Sequence, residues 1–101
     1  MNLGDTFFGA LAGGIRHLWV VISSPTSAGE VAIVNLTTRK PPCDDSCIIA
    51  VGEHPFVKQE SIAAYRRATM AMLSDLRAAV EQRLVDPHTP VSAELLTRIQ
   101  R

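Results

Sequence analysis

Three short apolar runs, each ended by turn-forming residues, limit what this chain can fold into. Leu18-Trp19-Val20-Val21-Ile22 stops at Ser23-Ser24-Pro25, Val31-Ala32-Ile33-Val34-Asn35-Leu36 runs into a polar loop, and Cys47-Ile48-Ile49-Ala50-Val51 stops at Gly52. Apolar runs of this length, rich in β-branched side chains, read as strands buried on both faces. Residues 26–29 are turn material, and so short a Ser/Pro/Gly connection predicts that the first two strands pair antiparallel. Pro41-Pro42 and Asp44-Asp45 mark residues 39–45 as a loop. Residues 52–55 predict a further turn, after which Phe56-Val57 resumes an extended path.

The second half reads differently. Leu76, Val80 and Leu84 recur every four residues and give one helical face. Ser74 is the predicted N-cap, with Asp75 favoured in the first turn by the helix dipole, for a helix near 74–84. Pro87 and Pro90 bracket a predicted linker, and Ser92 caps a second helix near 92–100, with Val91 stapled on Leu96. Residues 62–72 satisfy two readings. Ala, Arg and Met favour helix, yet no helical stripe is present, and Thr69-Met70-Ala71-Met72-Leu73 fits a strand.

A chain of 101 residues is one domain, here taken as residues 1–101, and is long enough to bury a core without staples. With 47% hydrophobic residues and no net charge, it is neither a disordered tail nor a strongly basic nucleic-acid coat. Any nucleic-acid contact must come from a local patch. The longest charge-free apolar stretch, Phe7 to Ile15, is short of the ~20 residues a membrane helix needs. Asp5 stands where a signal peptide carries basic residues, and Gly13-Gly14 interrupts the apolar run. The cytoplasm is therefore expected, with both cysteines, Cys43 and Cys47, reduced. Short strands followed by helices predict a mainly β domain, a small barrel or curled sheet with C-terminal helices.

Four segments carry a family resemblance. They are Gly4-Asp5-Thr6-Phe7-Phe8, the stretch from Gly14 through Arg16-His17-Leu18-Trp19 to Ser23, the stretch from Gly29 to Thr37-Thr38, and residues 61–76. Pro90-Val91-Ser92-Ala93-Glu94-Leu95-Leu96 adds a fifth, shorter similarity. Together they resemble the MazF/PemK family, the toxin components of type II toxin–antitoxin modules. The family's usual Pro after the strand-start Arg is His17 here. The resemblance implies an SH3-like barrel, a homodimer, and a metal-independent endoribonuclease that cuts single-stranded RNA and is neutralised by a cognate antitoxin. It also implies that residues 62–72 are largely strand.

RNA can be cut by its own 2′-hydroxyl if a base removes that proton, an acid protonates the leaving 5′-oxygen, and the phosphorane charge is stabilised. By the resemblance, Arg16 and Thr37 match the family's functional Arg and Thr, with Thr38 interchangeable with Thr37 within a one-residue shift. A guanidinium binds phosphate oxygens bidentately, and a hydroxyl donates one further hydrogen bond. Thr38, Arg39, Arg66 and Arg67 are the candidate RNA-binding residues, although Arg66 and Arg67 stand near where some family members carry an acid. In an alternating strand, His17 faces away from Arg16, which favours a core or interface role for it. Cys43 and Cys47, with Asp44, Asp45 and His54, invite a metal reading, but their spacing is not that of a structural zinc site, and neither metal nor cofactor is expected. The alternative function is a non-catalytic SH3-like barrel that binds or regulates. The groove decides between them: the nuclease needs Arg16 and Thr37 exposed together within reach of one phosphate.

Overall fold

A computed structural model describes residues 1–11 and 14–101; Ala12 and Gly13, and with Gly13 the first residue of the Gly13-Gly14 interruption, lie outside the described residues. The chain forms a seven-stranded antiparallel sheet with two short C-terminal helices. The strands are β1 (Thr6–Gly9), β2 (His17–Val21), β3 (Glu30–Thr38), β4 (Ile48–Ile49), β5 (Ser61–Ala63), β6 (Thr69–Met72) and β7 (Asp86–His88). The helices are α1 (Leu73–Glu81) and α2 (Ala93–Gln100). The sheet runs β4-β5-β3-β2-β1-β7, with β6 paired to β3 beside β5. Among the described residues no ladder joins β4 to β7, so the sheet does not close into a barrel.

Alternation along β2 and β3 sorts the core into two layers. Leu18, Val20, Val34 and Leu36 face Val91 and α2, where Leu95 and Ile99 complete their cover. Trp19, Val21, Val31 and Ile33 face the opposite way, against Phe7, Leu76 of α1 and Val85. Burial of both faces explains why these strands read as continuous apolar runs. Each fully buried side chain of this size contributes about 1.5–3 kcal/mol. One position admits no side chain. A Cβ on Gly9 would stand 2.6 Å from Val85 Cγ1, and the Gly9 carbonyl accepts from Trp19 Nε1–H at 3.3 Å.

Several boundaries differ from the sequence expectation. The third apolar run pairs only at Ile48-Ile49, because β5 supplies just three residues opposite it. Phe56 lies in a turn rather than on an extended path. Residues 62–72 are strand at both ends, but a 3-10 turn, Tyr65–Arg67, breaks them into β5 and β6. Helix α1 begins one residue before Ser74, follows Met72 with no side-chain cap, and ends at Glu81. Arg83 then turns the chain with φ of 58°, which leaves Leu84 exposed beyond the helix. The expected linker around Pro87 is the edge strand β7, paired with β1. Proline lacks the N–H a central strand needs, and an edge strand tolerates that loss. Ser92 caps α2 as expected, its Oγ accepting from Leu95 N–H at 3.1 Å. Among the described residues no helix is long and apolar enough to cross a membrane.

Candidate functional site

Leu18 pairs with Leu36 in the β2–β3 ladder. Continuing that register by one same-face step brings Arg16, just ahead of β2, level with Thr38 at the end of β3. Thr38 in turn pairs with Ser61 of β5. All three belong to the face that α2 covers farther along. The Arg16 guanidinium lies over the Phe8 ring, 4.9 Å from its centroid, a cation–π contact. Its Nη2 also donates to Asp86 Oδ2 at 3.4 Å. That ion pair is exposed on both sides, 54% and 64%, so it is weak and exchanges readily with a ligand oxygen.

Asp86 and His88 leave β7 on the same side, since β1 pairs Phe8 with Asp86 and Thr6 with His88. The His88 ring stands edge-on to Phe56 at 5.2 Å and to Phe8 at 6.4 Å. Phe56 is carried there by His54, which is buried. His54 Nδ1 accepts from the Phe56 N–H at 3.0 Å. The imidazole proton therefore sits on Nε2, which donates to the Thr89 carbonyl. Thr6 Oγ1 donates to the same carbonyl at 2.8 Å. This ties the turn holding Phe56 to the segment after β7. A cavity of about 220 Å³ opens beside it, lined by Leu36, Thr37, Thr38, Phe56, Lys58 and Ser61 among others.

The opposite face holds a second polar region. His17 packs edge-on to Trp19 at 6.5 Å, and Arg67 Nη1 donates to His17 Nε2 at 3.2 Å. Partial burial, and then the Arg67 charge, push the His17 pKa below its ordinary value, which keeps the ring neutral. Thr37 pairs with Ile62 and faces this side. A cavity of about 560 Å³ lies between the loop after β3 and the 3-10 turn, lined by Cys43, Asp44, Ile62, Tyr65, Arg66 and Arg67. Asn35, fully buried on this face of β3, has neither side-chain amide atom hydrogen-bonded among the described residues.

The candidate residues thus divide. By register Arg16 and Thr38 share one face; the Thr37 side chain alternates to the other, although Thr37 also borders the 220 Å³ cavity, and Arg66 and Arg67 line the larger cavity. Arg39 is engaged elsewhere. Its Nε and Nη2 each donate to Asp45 at 2.9 Å, and Nη1 reaches Glu60 at 3.3 Å. Hydrogen bonds from Arg39 and then Cys43 hold the Asp45 carboxyl down at about 2. The bond from the Cys43 thiol to Asp45 in turn raises the thiol's pKa, which keeps it protonated. Among the described residues no three His, Cys, Asp or Glu side chains are grouped as metal ligands. Asp86 and His88 are the site residues that sequence reasoning missed; they sit in a Pro-marked segment that reads as linker, and strand alternation across Pro87 was the available signal.

Comparison with protein-family models gives no match, and no curated protein matches the chain.

Proposed function

We propose that this chain is a toxin-like, metal-independent endoribonuclease of the MazF/PemK kind. It acts in the cytoplasm as a homodimer, cleaves single-stranded RNA, and is neutralised by a cognate antitoxin. Its sheet is the curled relative of an SH3-like barrel: β3 pairs β2 along one edge and both β5 and β6 along the other. The observation that carries the reading is the placement of Arg16 and Thr38 on one face, with Asp86 paired to the guanidinium and His88 edge-on to the Phe8 ring that the guanidinium covers.

That set matches what RNA self-cleavage requires. The 2′-oxygen attacks phosphorus and the bond to the 5′-oxygen breaks, leaving a 2′,3′-cyclic phosphate. Asp86 and His88 are the groups within reach to take the 2′ proton and to give one to the leaving oxygen. Arg16 neutralises the phosphorane oxygens, releasing Asp86 as it does so, and the Thr38 hydroxyl adds a hydrogen bond. Thr38 takes this role rather than Thr37, because Thr37 faces the other side of β3.

The binding-module alternative draws on one observation. Arg16 and Arg39 are both paired with carboxylates, which limits the positive field available to a polyanion. Purified protein incubated with a long single-stranded RNA in EDTA decides between them. Discrete fragments ending in 2′,3′-cyclic phosphate, lost in Arg16→Ala, are the expected result. Intact RNA at high protein concentration refutes the nuclease reading, and cleavage that needs a divalent metal refutes its mechanism.

A further inference from the structure

Arg16, Thr38, Asp86 and His88 account for the chemistry at a phosphate but not for what holds the strand there. Phe56 supplies a surface suited to that task. It is 38% exposed, although a phenylalanine serving only to fill the core turns inward. Its position is nevertheless fixed. The backbone is bound to the buried His54 ring, and the phenyl ring rests 4.9 Å from Phe8 at an interplanar angle of 38°. Beside it, the 220 Å³ cavity has an apolar floor at Leu18 and Leu36 and a polar wall at Thr38, Gln59 and Ser61. Two cations flank this surface, Arg16 through the shared Phe8 ring and Lys58 two residues from Phe56.

We propose that Phe56 is the stacking face for one unpaired nucleobase of single-stranded RNA. The edge of that base meets the Thr38–Gln59 wall, and its neighbouring phosphates meet Arg16 and Lys58. The inference rests on the nuclease reading for its choice of ligand. An exposed aromatic ring between cations, next to a cavity with hydrogen-bonding walls, fits a flat base on a charged backbone. A duplex does not fit, because its base faces are already stacked.

The test is fluorescence polarisation with a short, labelled 2′-O-methyl RNA, which cannot be cleaved, and with an abasic strand of equal length. Wild type is compared with Phe56→Leu, which keeps the packing and removes the π-face, and with Phe56→Trp. Stacking of one base predicts that Phe56→Leu weakens binding about tenfold or more. Phe56→Trp should restore it, and the abasic strand should bind wild type as weakly as RNA binds Phe56→Leu. Binding by Phe56→Leu within twofold of wild type overturns the inference, as does equal binding of the abasic strand. Cleavage of unmodified RNA is followed in parallel. Phe56-dependent binding without cleavage leaves the stacking site standing and removes the nuclease. Cleavage with Phe56-independent binding does the reverse, and absence of RNA binding removes both.

Discussion

Arg16 and His17 are neighbours in sequence and belong to different regions of the molecule. Arg16 enters a cluster drawn from β1, the turn before β5, β3 and β7, where its charge rests on Phe8 and is shared with Asp86. His17 enters a cluster drawn from Trp19 and the turn before β6, where partial burial, and then the Arg67 charge, hold it neutral. The first region sets a cation beside groups that can exchange protons. The second sets cations around a cavity and a silenced imidazole. The pleat of one strand makes the division, since adjacent side chains point to opposite faces. A basic residue count along the chain cannot see it.

The largest expected effect separates the regions by activity. Arg16→Ala should lower kcat/KM for RNA by about 10²–10³-fold, as loss of a charge-stabilising donor does elsewhere. Arg67→Ala should lower it by no more than a few-fold, and equal losses would erase the distinction. The neighbouring threonines sharpen it further. In single-turnover assays Thr38→Val should slow cleavage about tenfold while Thr37→Val leaves the rate within about twofold, since one net hydrogen bond is worth about 0.5–1.5 kcal/mol.

Stability probes the layer between the regions. Gly9→Ala should cost about 1–3 kcal/mol in urea unfolding, because the new methyl group must displace Val85. A variant as stable as wild type would mean that β1 and the segment before β7 do not pack as closely as described. Asn35→Leu should raise the unfolding free energy by about 1 kcal/mol, because the fully buried amide has no partner to lose among the described residues. Destabilisation there would indicate that the amide is satisfied.

The smallest effect is a pH dependence. The folded-state pKa of His17 is depressed below 6.5, so its contribution to stability is present above that value and is lost as pH falls through the lower one. Wild type should lose stability slightly faster than His17→Gln below about pH 6.5. Parallel pH profiles would show that neither burial nor the Arg67 charge acts on the ring.

The two-sided strands, the Ser92 cap and the opposition of Arg16 to His17 were legible because each follows from local chemistry and the period of a strand. Three features were not. β7 is stabilised by β1 at a sheet edge, so Pro87 reads as a breaker when it is a tolerated edge residue. The turn at Tyr65–Arg67 interrupts a strand that β3 recruits on both sides, and helix propensity there carried no information about that partner. Ser74 has the right residue type for a cap, yet β6 hands directly into α1 at Leu73. The candidate site fell between these cases. Arg16 was visible, with Thr38 as the substitute for Thr37, whereas Asp86 and His88 became neighbours only through long-range pairing.

The most direct test of the two-region account is cleavage of one single-stranded RNA, in EDTA, by wild type, Arg16→Ala and Arg67→Ala at matched folded concentration. The account predicts cyclic-phosphate fragments from wild type and Arg67→Ala, and almost none from Arg16→Ala. Full activity in Arg16→Ala, with loss in Arg67→Ala, would contradict it and move the site to the opposite face.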